Sequence, residues 1–314
     1  MRLIRGVRNL RAGDRACVAT IGNYDGLHRG HQAVLSRLFE RARELGQPSL
    51  MMTFEPTAAE YFSGDSPPAR LTRLREKYQA LRHFGLDKLF LVRFDRALAA
   101  MEASEFVEVF LVDGLAVSHL VIGDDFRFGR GRQGDLETLR AAGEDYGFAV
   151  ERVSSFEVDG VRVSSTVIRD ALARGDLEAA TGYLGRPYRM SGRVIGGEKL
   201  GRQLGFATAN VSPKRAVMPV QGVFAVRASG IAGAPCDGIA SVGTRPTVAG
   251  REPLLEVHLF DFDADIYHCN LDVDFIVRLR DEVKFPDVAS MREQIKVDAD
   301  RARRLLAGDQ QRQT

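Results

Sequence analysis

Near residue 186 the hydrophobic period of the chain changes, and no single sheet or bundle absorbs both halves. Up to Gly185, short apolar runs alternate with longer stretches of helical spacing, the signature of βαβ units around a parallel sheet. Cys17-Val18-Ala19-Thr20-Ile21 reads as a buried strand. A glycine-rich turn follows, and then Leu35, Leu38, Phe39, Ala42 and Leu45 recur at spacings of three and four, one buried face of a helix. Runs at 50–54, 88–92 and 120–122 read as further strands, with helix across 71–84, and this order predicts a doubly wound sheet. Beyond Arg186-Pro187-Tyr188 the period falls to 2. In residues 271–280 the odd positions are apolar and the even ones polar except Ile276. Such strands over 188–280 predict a small antiparallel barrel, closed by a helix with Val288, Met291, Ile295, Ala302 and Leu305 on one face. Two domains follow, 1–186 and 187–309, with residues 310–314 expected to fray.

Composition narrows the function classes. At roughly 150 residues per domain, 314 residues suit two self-sufficient cores. The 44 Lys and Arg against 42 Asp and Glu leave a formal charge of +2, which argues against a broad footprint for nucleic acid or an anionic membrane. Cys17, Cys236 and Cys269 are odd in number and far apart, so they offer neither a disulfide framework nor a zinc site, and a cytoplasmic protein is expected. No apolar run reads as a signal peptide or approaches the ~18 residues of a membrane span.

The chemistry starts directly after the first strand. Gly22-Asn23-Tyr24-Asp25-Gly26-Leu27-His28-Arg29-Gly30-His31 sets two of six histidines three residues apart at a helix start. Helix N-termini attract phosphates, and Gly26 and Gly30 leave room for close backbone approach. Imidazoles there can donate to phosphate oxygens as charge builds. A structural cap is the competing role for either histidine.

TIGNYDGLHRGH resembles the HxGH-bearing first motif of nucleotidyltransferases, specifically that of prokaryotic bifunctional riboflavin kinase/FAD synthetases. Further segments match in order: FEP at 54–56, GDDFRFGRGRQGD at 123–135, VSSTVIRDAL at 163–172, then LGRPY, GFATAN, GTRPT and LEVHLFDF. The resemblance covers nearly the whole chain. It implies a Rossmann-like nucleotidyltransferase domain that joins FMN to ATP, giving FAD and pyrophosphate. A β-barrel riboflavin kinase domain with a C-terminal helix, making FMN and ADP from riboflavin and ATP, would follow it. Mg²⁺ would serve both steps. No nucleic-acid or membrane partner is implied, and the oligomeric state is open, a homo-oligomer included.

Carried onto this sequence, the resemblance makes His28, His31 and Arg169 catalytic in adenylyl transfer. Gly22, Asn23, Asp25, Gly26, Gly30, Arg162, Ser164, Ser165 and Thr166 would bind ATP, and Phe54, Phe62, Asp125 and Phe128 the flavin. Ser164 or Ser165 is also a natural N-cap, compatible with a phosphate role. Phe54 and Phe62 are either core or a stacking wall, with Phe62, beside Ser63-Gly64-Asp65, the better ligand candidate. Gly129-Arg130-Gly131-Arg132-Gln133-Gly134 fits GxGxxG, but it lies late in the chain and reads as a flexible basic loop rather than a dinucleotide fingerprint.

In the second half, Gly196-Gly197-Glu198-Lys199-Leu200-Gly201-Arg202-Gln203 begins like a Walker A motif but lacks its Lys-Ser/Thr ending. By resemblance, Gly196, Lys199, Gly201, Arg202 and Thr208 would bind the kinase nucleotide, and Thr208 with Asn210 would hold Mg²⁺, oxygen ligands suiting that hard cation. In Leu254-Leu255-Glu256-Val257-His258-Leu259-Phe260, alternation turns Glu256 and His258 away from the face of Leu255, Val257 and Leu259. The matching family residue makes Glu256 the base for the ribityl 5′-hydroxyl. The chain departs from the family at Tyr24, Thr57-Ala58, Ala207 and His268, which bears on affinity at either site. The rival readings are an enzyme with only the FAD-synthesising half active, a flavin sensor without turnover, and a nicotinamide-dependent oxidoreductase built on 129–134.

Overall fold

The structure is a computed structural model that describes residues 1–196, 208–231, 233–247 and 250–313. The chain packs as two compact units, Met1–Pro68 with Thr72–Ser164, and Ala69–Leu71 with Ser165–Thr314.

The first unit is a parallel six-stranded sheet formed by β1 (Arg2–Arg5), β2 (Val18–Ile21), β3 (Ser49–Glu55), β4 (Lys88–Arg93), β5 (His119–Gly123) and β6 (Ala149–Val153). Their spatial order is β1-β4-β3-β2-β5-β6. Between them run α1 (Arg29–Glu44), α2 (Ala58–Phe62), α3 (Leu74–His83), α4 (Arg96–Ala100), α5 (Ala103–Phe106) and α6 (Leu136–Tyr146), and a short hairpin pairs β7 (Glu157–Val158) with β8 (Val161–Arg162). The central strands are buried on both faces, which is why they read as continuous apolar runs. Along β2, Ala19 and Ile21 join one core with Phe90 and Leu120, while Val18 joins the opposite core with Leu35 and Leu38 of α1. The doubly wound expectation therefore holds. The edge strand β1 gives no sequence signal because only four residues form it and only Ile4 is deeply buried.

The second unit carries α7 (Ser165–Arg174) and α8 (Leu177–Leu184), then the strands β9 (Tyr188–Ile195), β10 (Thr208–Ser212), β11 (Gly222–Ser229), β12 (Cys236–Thr247), β13 (Gly250–Leu259) and β14 (Asn270–Arg280). These close into an antiparallel barrel in the order β10-β13-β12-β11-β14-β9. Ile276, the exception in an otherwise alternating strand, sits where the β11–β14 register shifts, Ala225 facing Val277 while Val226 faces Phe275. An extra residue at such a bulge lets neighbouring apolar side chains share a face.

The last helix, α9 (Val288–Gln313), covers the barrel through Ala299, Ala302 and Leu306 against Val223, Ala225, Ile239 and Leu279. Two residues expected on its inner face, Val288 and Leu305, are exposed instead, because Leu306 takes the buried position one residue on. The backbone is helical as far as Gln313, beyond the 309 boundary drawn from sequence. At the other boundary, α7 and α8 fall with the barrel because α8 packs on β9 and β14. Three residues from the first half of the sequence also belong here. Arg169 Nε donates to the Ala69 carbonyl (2.7 Å), Arg215 donates to those of Arg70 (Nε, 3.1 Å) and Leu71 (Nη2, 3.1 Å), and the Tyr188 hydroxyl also reaches Leu71 O (3.2 Å).

Candidate active sites

β2 lies where the sheet order turns, β3 following on one side and β5 pairing on the other, and ligands of such sheets bind beyond the carboxyl ends of the strands at that point. The chain there runs Gly22 to Leu27 and enters α1 with His28 as N-cap. Tyr24, Gly26 and Leu27 all take positive φ, at 49°, 87° and 48°. The Asp25 carboxylate holds this turn: the Thr72 N–H (2.8 Å) and hydroxyl (3.1 Å) both donate to Oδ1, and Thr72 Oγ1 accepts from the Gly26 N–H (2.8 Å). Asp25 is thus placed as a loop anchor.

His28 is 6 % exposed. The His31 N–H donates to its Nδ1 (3.3 Å), so the neutral ring carries its proton on Nε2. The two imidazoles stack with centroids 3.5 Å apart, and Tyr24 tilts against His31 at 4.8 Å. Burial, partly opposed by Asp25, pushes the His28 pKa down to about 4. Burial, then the neighbouring His28 and Lys77, hold His31 well below the usual range. Both rings are neutral donors at pH 7. His31 Nδ1 and Asn23 Oδ1 are enclosed without a hydrogen-bond partner among the described residues. A Cβ at Gly30 would stand 3.3 Å from the His28 ring, close enough that the ring would have to give by a few tenths of an ångström.

The other expected residues of this half are placed less uniformly. Phe62 is 69 % exposed at the end of α2 and, with Phe54 and Tyr61, surrounds Phe94. Phe128 does not fit a ligand wall: it is 6 % exposed and packs between Phe106 and Phe126 in the core. Residues 129–134 are likewise not a loose loop, because Phe128 and Gly134 pair backbone to backbone and the Arg130 N–H donates to Met101 O (2.7 Å). Arg162 bridges Asp124 (3.0 Å) and Asp125 (3.1 Å). Ser164 closes the first unit, whereas Ser165, Thr166 and Arg169 belong to α7 of the second. Thr57, the departure beside Pro56, forms a capping box with Glu60: its hydroxyl accepts the Glu60 N–H (3.3 Å) and Glu60 Oε2 accepts the Thr57 N–H (2.9 Å). Lys77 carries no motif signal, yet it is 2 % exposed and donates to the Asn23 carbonyl and to Thr53 Oγ1 (3.3 Å).

In the barrel, β10 and β13 are paired so that Thr208 faces His258 and Asn210 faces Glu256. Directly opposed residues have Cβ atoms about 5 Å apart, so the four share one face, while Leu255 and Val257 are fully buried on the other. Ser241 of β12 faces Glu256 from the far side. Gly196 follows β9; Lys199, Gly201, Arg202 and Ala207 lie outside the described residues. Thr208 and Asn210 bring neutral oxygens, a donor set that fits a hard cation shared with phosphates. No cluster of three His, Cys, Asp or Glu residues suited to a metal occurs among the described residues. His268 holds φ at 67°, a conformation glycine adopts freely, which gives that departure a local backbone meaning.

A parallel sheet with paired imidazoles beyond its turning point, joined to a closed barrel with a carboxylate facing an amide, defines a two-site enzyme of the nucleotide-handling class. Residues 10–167 match the family model described as FAD synthetase, and residues 184–306 match that of riboflavin kinase. A curated bifunctional riboflavin kinase/FMN adenylyltransferase of Pseudomonas fluorescens is 48% identical over 98% of both chains, and that of Escherichia coli K12 is 47% identical with the same coverage. The chain belongs to the bifunctional riboflavin kinase/FMN adenylyltransferase family. A crystal structure titled macrolide-efflux protein, from Streptococcus pneumoniae, superposes with a TM-score of 0.81 at 29% identity over 95% of this chain and 97% of its own. That likeness shows the fold; no described helix here is long and apolar enough to cross a membrane.

Proposed function

We propose that residues 22–31 carry adenylyl transfer and that the face shared by β10 and β13 carries phosphoryl transfer. The chain is a bifunctional riboflavin kinase and FMN adenylyltransferase, with both modules in the family order. Neither the half-active reading nor the flavin sensor is favoured, and the geometry of 129–134 removes the basis of the oxidoreductase. The observation that carries the site assignment is the stacked, neutral His28–His31 pair at the start of a helix beyond the central strand.

In the α/β unit, an FMN phosphate oxygen attacks the α-phosphorus of ATP, a P–O bond forms, and pyrophosphate leaves. His28 Nε2–H donates to phosphate oxygens, and a donor already in place needs no reorganisation as charge develops. By the motif reading, Ser165, Thr166 and Arg169 of α7 hold the leaving group. Arg162 and the backbone of Gly22, Asn23, Gly26 and Gly30 receive ATP, and the exposed Phe62 stacks on the flavin.

In the barrel, Glu256 accepts the ribityl 5′-hydroxyl proton as that oxygen attacks the γ-phosphorus of ATP. Thr208 and Asn210 would hold Mg²⁺, which supplies charge neutralisation on the nucleotide phosphates when bound. The enzyme works on small molecules in the cytoplasm, a reading supported by three free cysteines and a near-balanced charge.

The test is incubation of the purified chain with riboflavin, ATP and Mg²⁺, resolving riboflavin, FMN and FAD over time. His28→Ala stops the sequence at FMN; Glu256→Ala blocks riboflavin but leaves supplied FMN convertible. The reverse pattern sinks the assignment of sites to units.

A further inference from the structure

The mechanism above gives no task to Lys77, the most deeply enclosed cation among the described residues. Lys77 sits on α3, far in sequence from any recognised motif, and is almost completely enclosed. Burying an ammonium is costly unless its three donors are met and its charge is used. Its donors reach two places that matter. One is the carbonyl of Asn23, in the turn that carries the chain from β2 to His28. The other is Thr53 Oγ1 on β3, the strand beside β2, at 3.3 Å. The ammonium therefore ties the nucleotide turn to the rigid sheet from below, as Thr72 ties it at Asp25 and Gly26.

The Lys77 charge adds to burial and the neighbouring His28 in holding the His31 pKa down. The groups facing His31 are its stacked neighbour His28, the tilted Tyr24, whose hydroxyl is bound to Thr20, and Lys77 itself.

We infer that Lys77 is a positioning residue for adenylyl transfer, fixing the 22–27 turn through the Asn23 carbonyl. This rests on the assignment of the adenylylation site to that turn. The Lys77 ammonium acts through the turn. Displacing a catalytic group by about 1 Å costs on the order of a hundredfold in rate, which sets the expected effect.

The test compares Lys77→Met and Lys77→Arg in the full chain, with riboflavin phosphorylation by the same molecules as the internal control of folding. In Lys77→Met, kcat for FAD formation from FMN should fall about a hundredfold. The KM for FMN should stay within about threefold and the kinase within about twofold. A wild-type level of FAD formation in Lys77→Met overturns the proposal. If Lys77→Met loses both activities, Lys77→Arg decides: recovered FAD formation supports the charge-dependent role, and none refutes it. Wild-type chain that makes FMN but never FAD would instead refute the site assignment beneath it.

Discussion

Asn210 and Glu256 occupy one rung of the β10–β13 ladder, so the amide expected to meet the metal and the carboxylate expected to take the proton are held by one backbone register. Neither can move without its strand. Glu256→Gln keeps size and removes the charge, and it should lower riboflavin phosphorylation by about 10² to 10⁴ while supplied FMN is still converted to FAD. A steady-state assay of each half-reaction on the same preparation checks this.

His28 caps α1 and is the proposed phosphate donor, and the two roles separate by substitution. Asparagine caps helices well, so His28→Asn should unfold near the wild-type midpoint, whereas His28→Ala should lose about 1 kcal/mol. Both should lose FAD formation by about a hundredfold or more, since neither presents an imidazole donor. Urea melts read alongside the FMN adenylylation rate distinguish cap from catalyst.

Acid stability follows from the same ring. The folded pKa of His28 is about 4 against 6.5 unfolded, so between these values the unfolded chain binds the proton that the folded chain refuses. Stability is fully present above about 6.5 and declines as pH falls toward 4, by about 3 kcal/mol from this group. His31 acts in the same direction. Below that window Glu151, which burial pushes up but the hydrogen bonds and charges of Arg37 and Arg41 together bring down to about 2, removes stability further as it protonates. Urea melts at pH 7, 5.5 and 4.5 should show the decline, and His28→Asn should flatten it.

Two phenylalanines with the same expected role should behave oppositely. Phe62→Ala touches an exposed ring and should leave stability unchanged while raising the KM for FMN about tenfold, as loss of a stacking contact implies. Phe128→Ala empties a core position and should cost about 3 to 5 kcal/mol, with any loss of FAD formation following unfolding. Thermal melts paired with FMN saturation curves test both.

What was legible in the sequence had a period or a motif to carry it. The βα order, the barrel and the first helix all follow from spacing, because strands buried on both faces and helices with one apolar stripe write different patterns. Phe128 was misplaced because an aromatic near a motif looks the same whether it faces a ligand or the core. The turn at 129–134 looked loose because its ties, to Met101 and across to Phe128, are backbone bonds that no side chain announces. Leu306 displaced Leu305 because a one-residue rotation in a long helix is within the tolerance of apolar spacing. Lys77 was invisible for a deeper reason: a lysine among Arg75, Glu76 and Arg82 reads as a solvated helix face until tertiary packing encloses it.

The segment Ala69–Leu71 makes the kinase module harder to detach than its position in the sequence suggests. Arg215 is 6 % exposed, and two of the carbonyls it meets, together with the one Tyr188 meets, come from residues more than a hundred positions upstream. A gene fragment starting at residue 187 would encode every strand of the barrel yet omit those acceptors, leaving a buried guanidinium and a phenol short of partners. Modularity in this chain is thus a property of its chemistry more than of its covalent order. A shortened kinase would need either those three residues supplied as a peptide or a redesigned wall at Arg215 to stand alone.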